Sequence, residues 1–244
     1  MKQTRLIMGM PVAVEVIDKN VNLKDIDEVF NYFKYVDNKF STFKEDSEIS
    51  KIERGEVKKT DYSADVKEIF NLADKTKRET DGYFNIWHNN KPDPSGIVKG
   101  WAIYNASKIL KKLGYKNFYV EAGGDIQTFG ENSKGKKWKV GIKNPFNLRE
   151  IVKVVKLRNK GIATSGTYLR GQHIYNPYRS GKIKEIVSIT VIADNICEAD
   201  RFATAAFAMG ARGINFIEKC KGLEGYMIGK EGIATYTSGF KNYL

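Results

Sequence analysis

Residues 118–157 read FYVEAGGDIQTFGENSKGKKWKVGIKNPFNLREIVKVVKL. Three short β-rich runs, at 118–121, 138–142 and 151–157, are separated here by turns rich in glycine and asparagine, and a fourth run follows at 186–193. Strands and helices therefore do not alternate strictly. That argues against a doubly wound parallel sheet and predicts a mixed, largely antiparallel α+β fold.

Working outward, residues 7–17 end in a period-two pattern, Val12, Val14 and Val16, as expected of a half-buried strand whose edge or first residue is marked by Pro11. Residues 24–40 place Ile26, Val29, Phe30, Phe33 and Val36 at helical spacing, and residues 65–78 do the same with Val66, Ile69, Phe70 and Ala73. A third helix is predicted from near Gly96 to Leu113, stopped by Gly114. Toward the C-terminus the pattern predicts helices over 199–209 and 211–220 and closing strands near 226–228 and 233–236. No repeat, low-complexity stretch or proline-rich linker interrupts the chain, so residues 1–244 read as a single catalytic unit.

The composition, 41% hydrophobic and 29% charged, is that of an ordinary globular protein. An excess of 41 basic over 29 acidic residues draws the chain toward phosphate-rich ligands, nucleic acids or anionic partner surfaces without choosing among them. Lysines such as Lys108, Lys111, Lys112, Lys134, Lys136 and Lys137 read as a scattered, solvated surface. No nucleic-acid motif accompanies them, so no nucleic-acid partner is expected. Cys197 and Cys220 fit neither a disulfide framework nor a C-x-x-C spacing and read as reduced thiols. The N-terminus lacks the apolar run of a signal peptide and no stretch approaches a membrane span, which gives the expectation of a cytoplasmic protein without stable membrane insertion.

Four segments carry chemistry. In the first, Asp93 to Gly100, small residues precede a helix start whose free N–H groups suit a phosphate, and Lys99 adds a charge; a helix that merely begins at a proline turn has the same pattern. The second, Glu121 to Asp125, ends a strand with two glycines, which permits either close approach of the backbone to a ligand or a tight turn. Third come Ala163 to Gly166 and His173 to Pro177, in which His173 is the candidate catalytic imidazole; His88 lies among Asn89, Asn90 and Lys91 in a predicted loop. The fourth, Glu198 to Thr204, sets Asp200 and Thr204 four residues apart on one helix face, a hard-oxygen pair suited to Mg²⁺, unless Asp200 caps the helix start.

Taken in order, these segments resemble the FAD:protein FMN transferase family, also called ApbE. The resemblance extends to Met8-Gly9, Phe40 to Phe43, Asp46 to Ser50 and Thr80 to Phe84, and so covers nearly the whole chain. It implies a T-fold-like α+β domain that binds FAD in a cleft and uses Mg²⁺. The family's metal ligands fall on the Asp200 carboxylate, the Thr204 hydroxyl and the Gly96 carbonyl. Its flavin-contacting positions fall on Met8, Phe43, Tyr83, Phe84, Asn85, Asp93, Lys99 and His173. Asn85 and Tyr104 stand where the family often has Asp, and Val98 where alanine is usual.

The activity so implied is Mg²⁺-dependent transfer of the FMN half of FAD to a Thr or Ser hydroxyl within a flavinylation motif of an acceptor protein, releasing AMP. His173 would be the general base and Asp200 the carboxylate holding the metal. The alternatives are FAD hydrolysis to FMN and AMP at the same metal, and flavin binding without catalysis.

Overall fold

The computed structural model describes residues 1–88, 91–167, 174–179 and 182–244. Its elements, in chain order, are strands β1 (Lys2–Ile7) and β2 (Met10–Val16), helices α1 (Leu23–Phe40), α2 (Glu48–Glu53) and α3 (Ala64–Glu79), strands β3 (Trp87–His88) and β4 (Lys91–Pro92), and helix α4 (Ser95–Lys112). Strands β5 (Phe118–Ala122), β6 (Asp125–Phe129), β7 (Trp138–Asn144), β8 (Asn147–Leu157), β9 (Gly161–Gly166) and β10 (Ile186–Ala193) follow. Helices α5 (Ile196–Ala208) and α6 (Gly213–Lys219) and strands β11 (Glu224–Gly229) and β12 (Ala234–Tyr236) complete the chain, with short 3-10 turns at Lys59–Asp61, Gly210–Arg212 and Ser238–Tyr243.

Eight strands form one sheet in the order β1-β2-β5-β6-β9-β10-β11-β12, and every described pairing is antiparallel. The expected mixed α+β architecture with antiparallel sheets is what the chain adopts. The predicted first strand is instead a hairpin: Ile7 pairs with Met10 across Met8 and Gly9, both at positive φ (56° and 68°). Two residues in the left-handed region make the tight connection whose twist matches that of the strands it joins. Pro11 consequently lies near the start of an interior strand, with β1 as the edge.

The two faces of the sheet are covered differently, and alternation along the strands shows it. Ala163, Val191 and Met227 point into the main core with α4 and α5, whereas Ile162, Ile192, Tyr226 and Ile228 point the other way onto Ile142, Val155 and Leu157 of the β7–β8 hairpin and onto Phe240. Burial on both faces explains why the apolar residues of 186–193, Ile186, Ile189, Val191 and Ile192 among them, fall at both even and odd positions instead of alternating with polar ones.

Helix α5 starts three residues before its predicted N-terminus. Asn195 is its cap, its side chain accepting from the Glu198 N–H at 3.0 Å. Asp200 is thereby in the helix interior, and the capping explanation of this carboxylate does not hold. Next to it, Arg201 is buried and its guanidinium pairs with Glu79 of α3 and Glu198, fastening α3 to α5. Helix α4 ends as the sequence predicts: Gly114 has φ +93°, and the Tyr115 N–H donates to Leu110.

Candidate functional site

The site lies where the sheet splits. Strands β6 and β9 pair only through Ile126 with Ile162 and Gln127 with Gly161. Beyond that point the ladder is replaced by a side chain, since Asp125 Oδ1 accepts from the Thr164 N–H at 3.0 Å. A cavity of about 880 Å³ opens there, bounded by the N-terminus of α4, the inner turns of α5, the 83–86 segment and strand β7. Its size is in the upper part of the range for small-molecule sites.

Two helices supply the polar floor. Gly100 of α4 donates its N–H to Asp200 Oδ2 at 2.8 Å, and the lack of a side chain on Gly100 allows the close approach. Lys99 Nζ lies 2.6 Å from Asp125 Oδ2 and 3.7 Å from Asp200 Oδ1, so one ammonium stands between two carboxylates that are almost completely buried. Burying either acid without such a partner would be costly. One turn along α5, Thr204 Oγ1 is 3.4 Å from the Gly96 carbonyl oxygen and 3.5 Å from Ser165 Oγ.

The oxygens of Gly96, Asp200 and Thr204 are hard donors, the type Mg²⁺ takes. Two neighbouring ligands of an octahedral Mg²⁺ are about 2.9 Å apart, given metal–oxygen distances of 2.0–2.1 Å, so the Gly96–Thr204 pair, at 3.4 Å, would have to draw together to share an ion. A single carboxylate falls short of an all-protein cage, and among the described residues no cluster of three His, Cys, Asp or Glu side chains offers one. This suits an ion that keeps waters and shares its remaining positions with substrate phosphates.

Of the positions assigned from sequence, Tyr83, Phe84, Asn85, Asp93, Gly96, Lys99, Asp200 and Thr204 all line the cavity. Tyr83 is held by Arg212, whose Nη2 donates to the phenol oxygen at 2.5 Å, and by the Tyr178 ring with centroids 5.0 Å apart. Asp93 Oδ1 accepts from the Ser95 N–H at 3.0 Å and so orders the entry to α4. Met8 and Phe43 are not brought to the cavity wall. Met8 occupies the hairpin turn while Met10 lines the cavity, and Phe43 is 97% exposed in the loop after α1. His173 lies outside the described residues.

Several lining residues had no individual assignment from sequence: Asp125, Thr164, Ser165, Tyr175 and, on β7, Lys139 and Lys143. The glycine pair before Asp125 and the hydroxyl run at 164–165 were the available signals. His88, read as a loop residue, is on β3 and lines the cavity, its ring 4.5 Å from that of Tyr175. Burial pushes the Glu121 carboxyl up, and it pushes the Tyr175 phenol up with help from the Asp93 charge.

Comparison with known proteins gives this arrangement a relationship. FAD:protein FMN transferase of Escherichia coli is 32% identical over 62% of this chain and 47% of its own length, and that of Klebsiella pneumoniae 31% over 62% and 45%. The chain thus spans about half the length of these relatives. The Haemophilus influenzae protein of the same name is 25% identical and matches 86% of this chain and 82% of its own. Among solved structures, flavin transferase ApbE from Vibrio cholerae superposes with a TM-score of 0.86 at 22% identity, over 100% of this chain and 99% of that one. The ApbE protein of Thermotoga maritima gives 0.87 at 20%, over 100% and 98%. The ApbE family model matches residues 8–90 and 87–227, and the chain belongs to the ApbE family.

Proposed function

We propose that the protein transfers the FMN moiety of FAD to a Thr or Ser hydroxyl of an acceptor protein, with Mg²⁺ as the required ion and AMP as the second product. The observation that carries this reading is the meeting, in one cavity, of three oxygen donors (Gly96, Asp200 and Thr204) with the Lys99 ammonium at the N-terminus of α4. Relatives named FAD:protein FMN transferase supply the substrate class.

In the reaction the acceptor oxygen forms a bond to the FMN phosphorus and the bond from that phosphorus to the bridging oxygen breaks. AMP leaves with the bridging oxygen, and the hydroxyl proton passes to a base. Charge on the phosphoryl oxygens must be offset while the nucleophile is held in line. A bound Mg²⁺ supplies that offset. Asp200, Thr204 and Gly96 would hold it, and the Gly100 N–H fixes the rotamer of Asp200 in advance of any ligand. Lys99, between Asp125 and Asp200, offsets part of their negative charge on the floor that would face the pyrophosphate. Tyr83 and Phe84 form an apolar, partly aromatic wall for the flavin ring, and His173 is assigned as the base.

Incubation with FAD, Mg²⁺ and a threonine-bearing acceptor distinguishes the possible activities. Protein-bound flavin on the acceptor is the expected result. Free FMN and AMP in its place would make the chain an FAD pyrophosphatase, and unchanged FAD with tight binding would make it a flavin-binding protein.

A further inference from the structure

The positive charge of this chain is concentrated in one place. Residues 1–133 hold 21 basic and 21 acidic side chains, whereas residues 134–160 hold ten basic ones and one acidic one, Glu150, so that 27 of the 244 residues carry nine of the twelve excess charges. The segment is the β7–β8 hairpin with its flanks. Surface lysines distributed for solubility have no reason to gather in this way, and like charges across a two-stranded ribbon repel.

The hairpin has two unlike faces. The inner one buries Trp138, Ile142, Val155 and Leu157. On the outer one the register sets Lys139 opposite Lys156, Gly141 opposite Val154 and Lys143 opposite Ile151. Ile151 and Val154 are 51% and 45% exposed, and Ile151 leans over Gly141, where an added Cβ would lie 2.8 Å from its Cδ1. Arg158 and Lys160, at the hairpin's base, are paired with Glu131 and Asp194. Among the described residues, Lys139, Lys143, Arg149 and Lys153 enter no salt bridge.

Position adds the decisive point. Strand β7 is also a wall of the cavity along its length from Trp138 to Lys143, the outer-face residues Lys139, Gly141 and Lys143 included. Whatever lies on the outer face therefore lies at the mouth of the site. Strand β8 pairs with β7 and with no other described strand, which leaves a row of backbone groups for an added strand.

We propose that the outer face of the β7–β8 hairpin is the docking surface for the acceptor polypeptide, and that it takes an extended, acidic segment carrying apolar residues at alternate positions. This rests on the transfer reading given above. Apolar and basic side chains alternate across the hairpin at strand spacing, which matches the alternate side chains of an added strand. A single-stranded nucleic acid would instead call for aromatic rings to stack its bases, and the paired positions of the outer face offer none. A lipid surface calls for a continuous apolar stripe, and lysines interrupt this one.

The test is fluorescence anisotropy with two labelled peptides of equal length around one threonine, one flanked by Asp, Glu and Leu and the other with Lys in place of the acids. We expect the acidic peptide to bind, with affinity falling steeply as salt rises. The double variant Arg149→Glu/Lys156→Glu, with Lys156 opposite Lys139 on the outer face, should weaken binding about tenfold, and Ile151→Ser should weaken it too. Lys58→Glu/Lys59→Glu, the same charge change far along the chain, should leave binding unchanged. Equal weakening in that control would reduce the effect to net charge and overturn the proposal. So would equal affinity for both peptides, or binding to phosphatidylserine vesicles without binding to the acidic peptide. FAD binding, followed by flavin fluorescence on the same proteins, is expected to be unaffected by the hairpin changes. If the parent protein failed to bind FAD, the transfer reading would fall on that measurement, independently of the peptide result.

Discussion

Gly100 and Asp200 are in contact across the α4–α5 interface so closely that a Cβ on the glycine would lie 2.6 Å from the Asp200 Cβ, while the Gly100 N–H donates to Asp200 Oδ2 at 2.8 Å. One residue both permits the helix approach and aims the carboxylate. Gly100→Ala must push Asp200 or α5 away. Overpacking of this kind costs roughly 1–3 kcal/mol, and we expect a lower Tm together with weakened Mg²⁺-dependent turnover. If activity were lost with Tm unchanged, the glycine would act on the carboxylate alone. Unchanged activity would separate this contact from the chemistry.

Asp200→Asn tests the charge without disturbing the contact. The amide oxygen can still accept from Gly100, and Lys99 keeps Asp125 as its partner at 2.6 Å. The variant should fold, by circular dichroism, and should bind Mg²⁺ at least tenfold more weakly by isothermal titration in the presence of FAD. Retention of parental Mg²⁺ affinity would remove Asp200 from the ligand set.

Much of this site was legible in the sequence, for reasons that differ by residue. Helices α1 and α3 bury one stripe each, so their extents follow from apolar spacing to within about a residue, whereas α4, buried nearly all round over 97–103, was bounded by its start near Gly96 and the Gly114 stop. Asp200 and Thr204 could be placed on one face by the same periodicity. Strand β1 escaped because it is an edge strand of polar composition, and β9 because GIATSG has small residues in place of a β-branched run. The pairing of Lys99 with Asp125 joins a helix to a strand, and no local spacing encodes it. Phe43 shows the opposite failure: a motif match set it in the cleft, whereas the loop that Ser47 ties to the Ser41 carbonyl leaves it in solvent.

His173 was singled out from sequence, and its role is open to direct measurement. A positioned general base is worth about 10²- to 10⁴-fold. His173→Ala should lose transfer by that order while FAD affinity, by fluorescence quenching, changes little. A parallel collapse of binding would make it a cofactor contact. His88, at the cavity wall beside Tyr175, is then the next imidazole to remove.

Cys197 gives a pH dependence whose sign can be worked out. It is buried on α5, and burial, followed by the nearby Asp200 and Glu198 charges, pushes its thiol from an ordinary value of 9.0 up to about 12. In the unfolded chain the thiol ionises near 9 while the folded one stays protonated. Between those two values the folded state therefore binds more protons, and its stability must fall as pH rises. One such group contributes a slope of up to about 1.4 kcal/mol per pH unit. Denaturant titrations of the parent and of Cys197→Ala between pH 8 and about 11 should show the parent losing stability relative to the alanine variant as pH rises, since the variant lacks this loss. Ellman's reagent at pH 8 adds an independent reading. It should leave Cys197 unmodified in the native protein and reach it only on unfolding, because the thiolate is the reactive form. Native-state modification of Cys197, or parallel stability curves for the two proteins, would mean that this part of α5 opens to solvent and that Asp200, one turn further on, is not held in the dry setting described here.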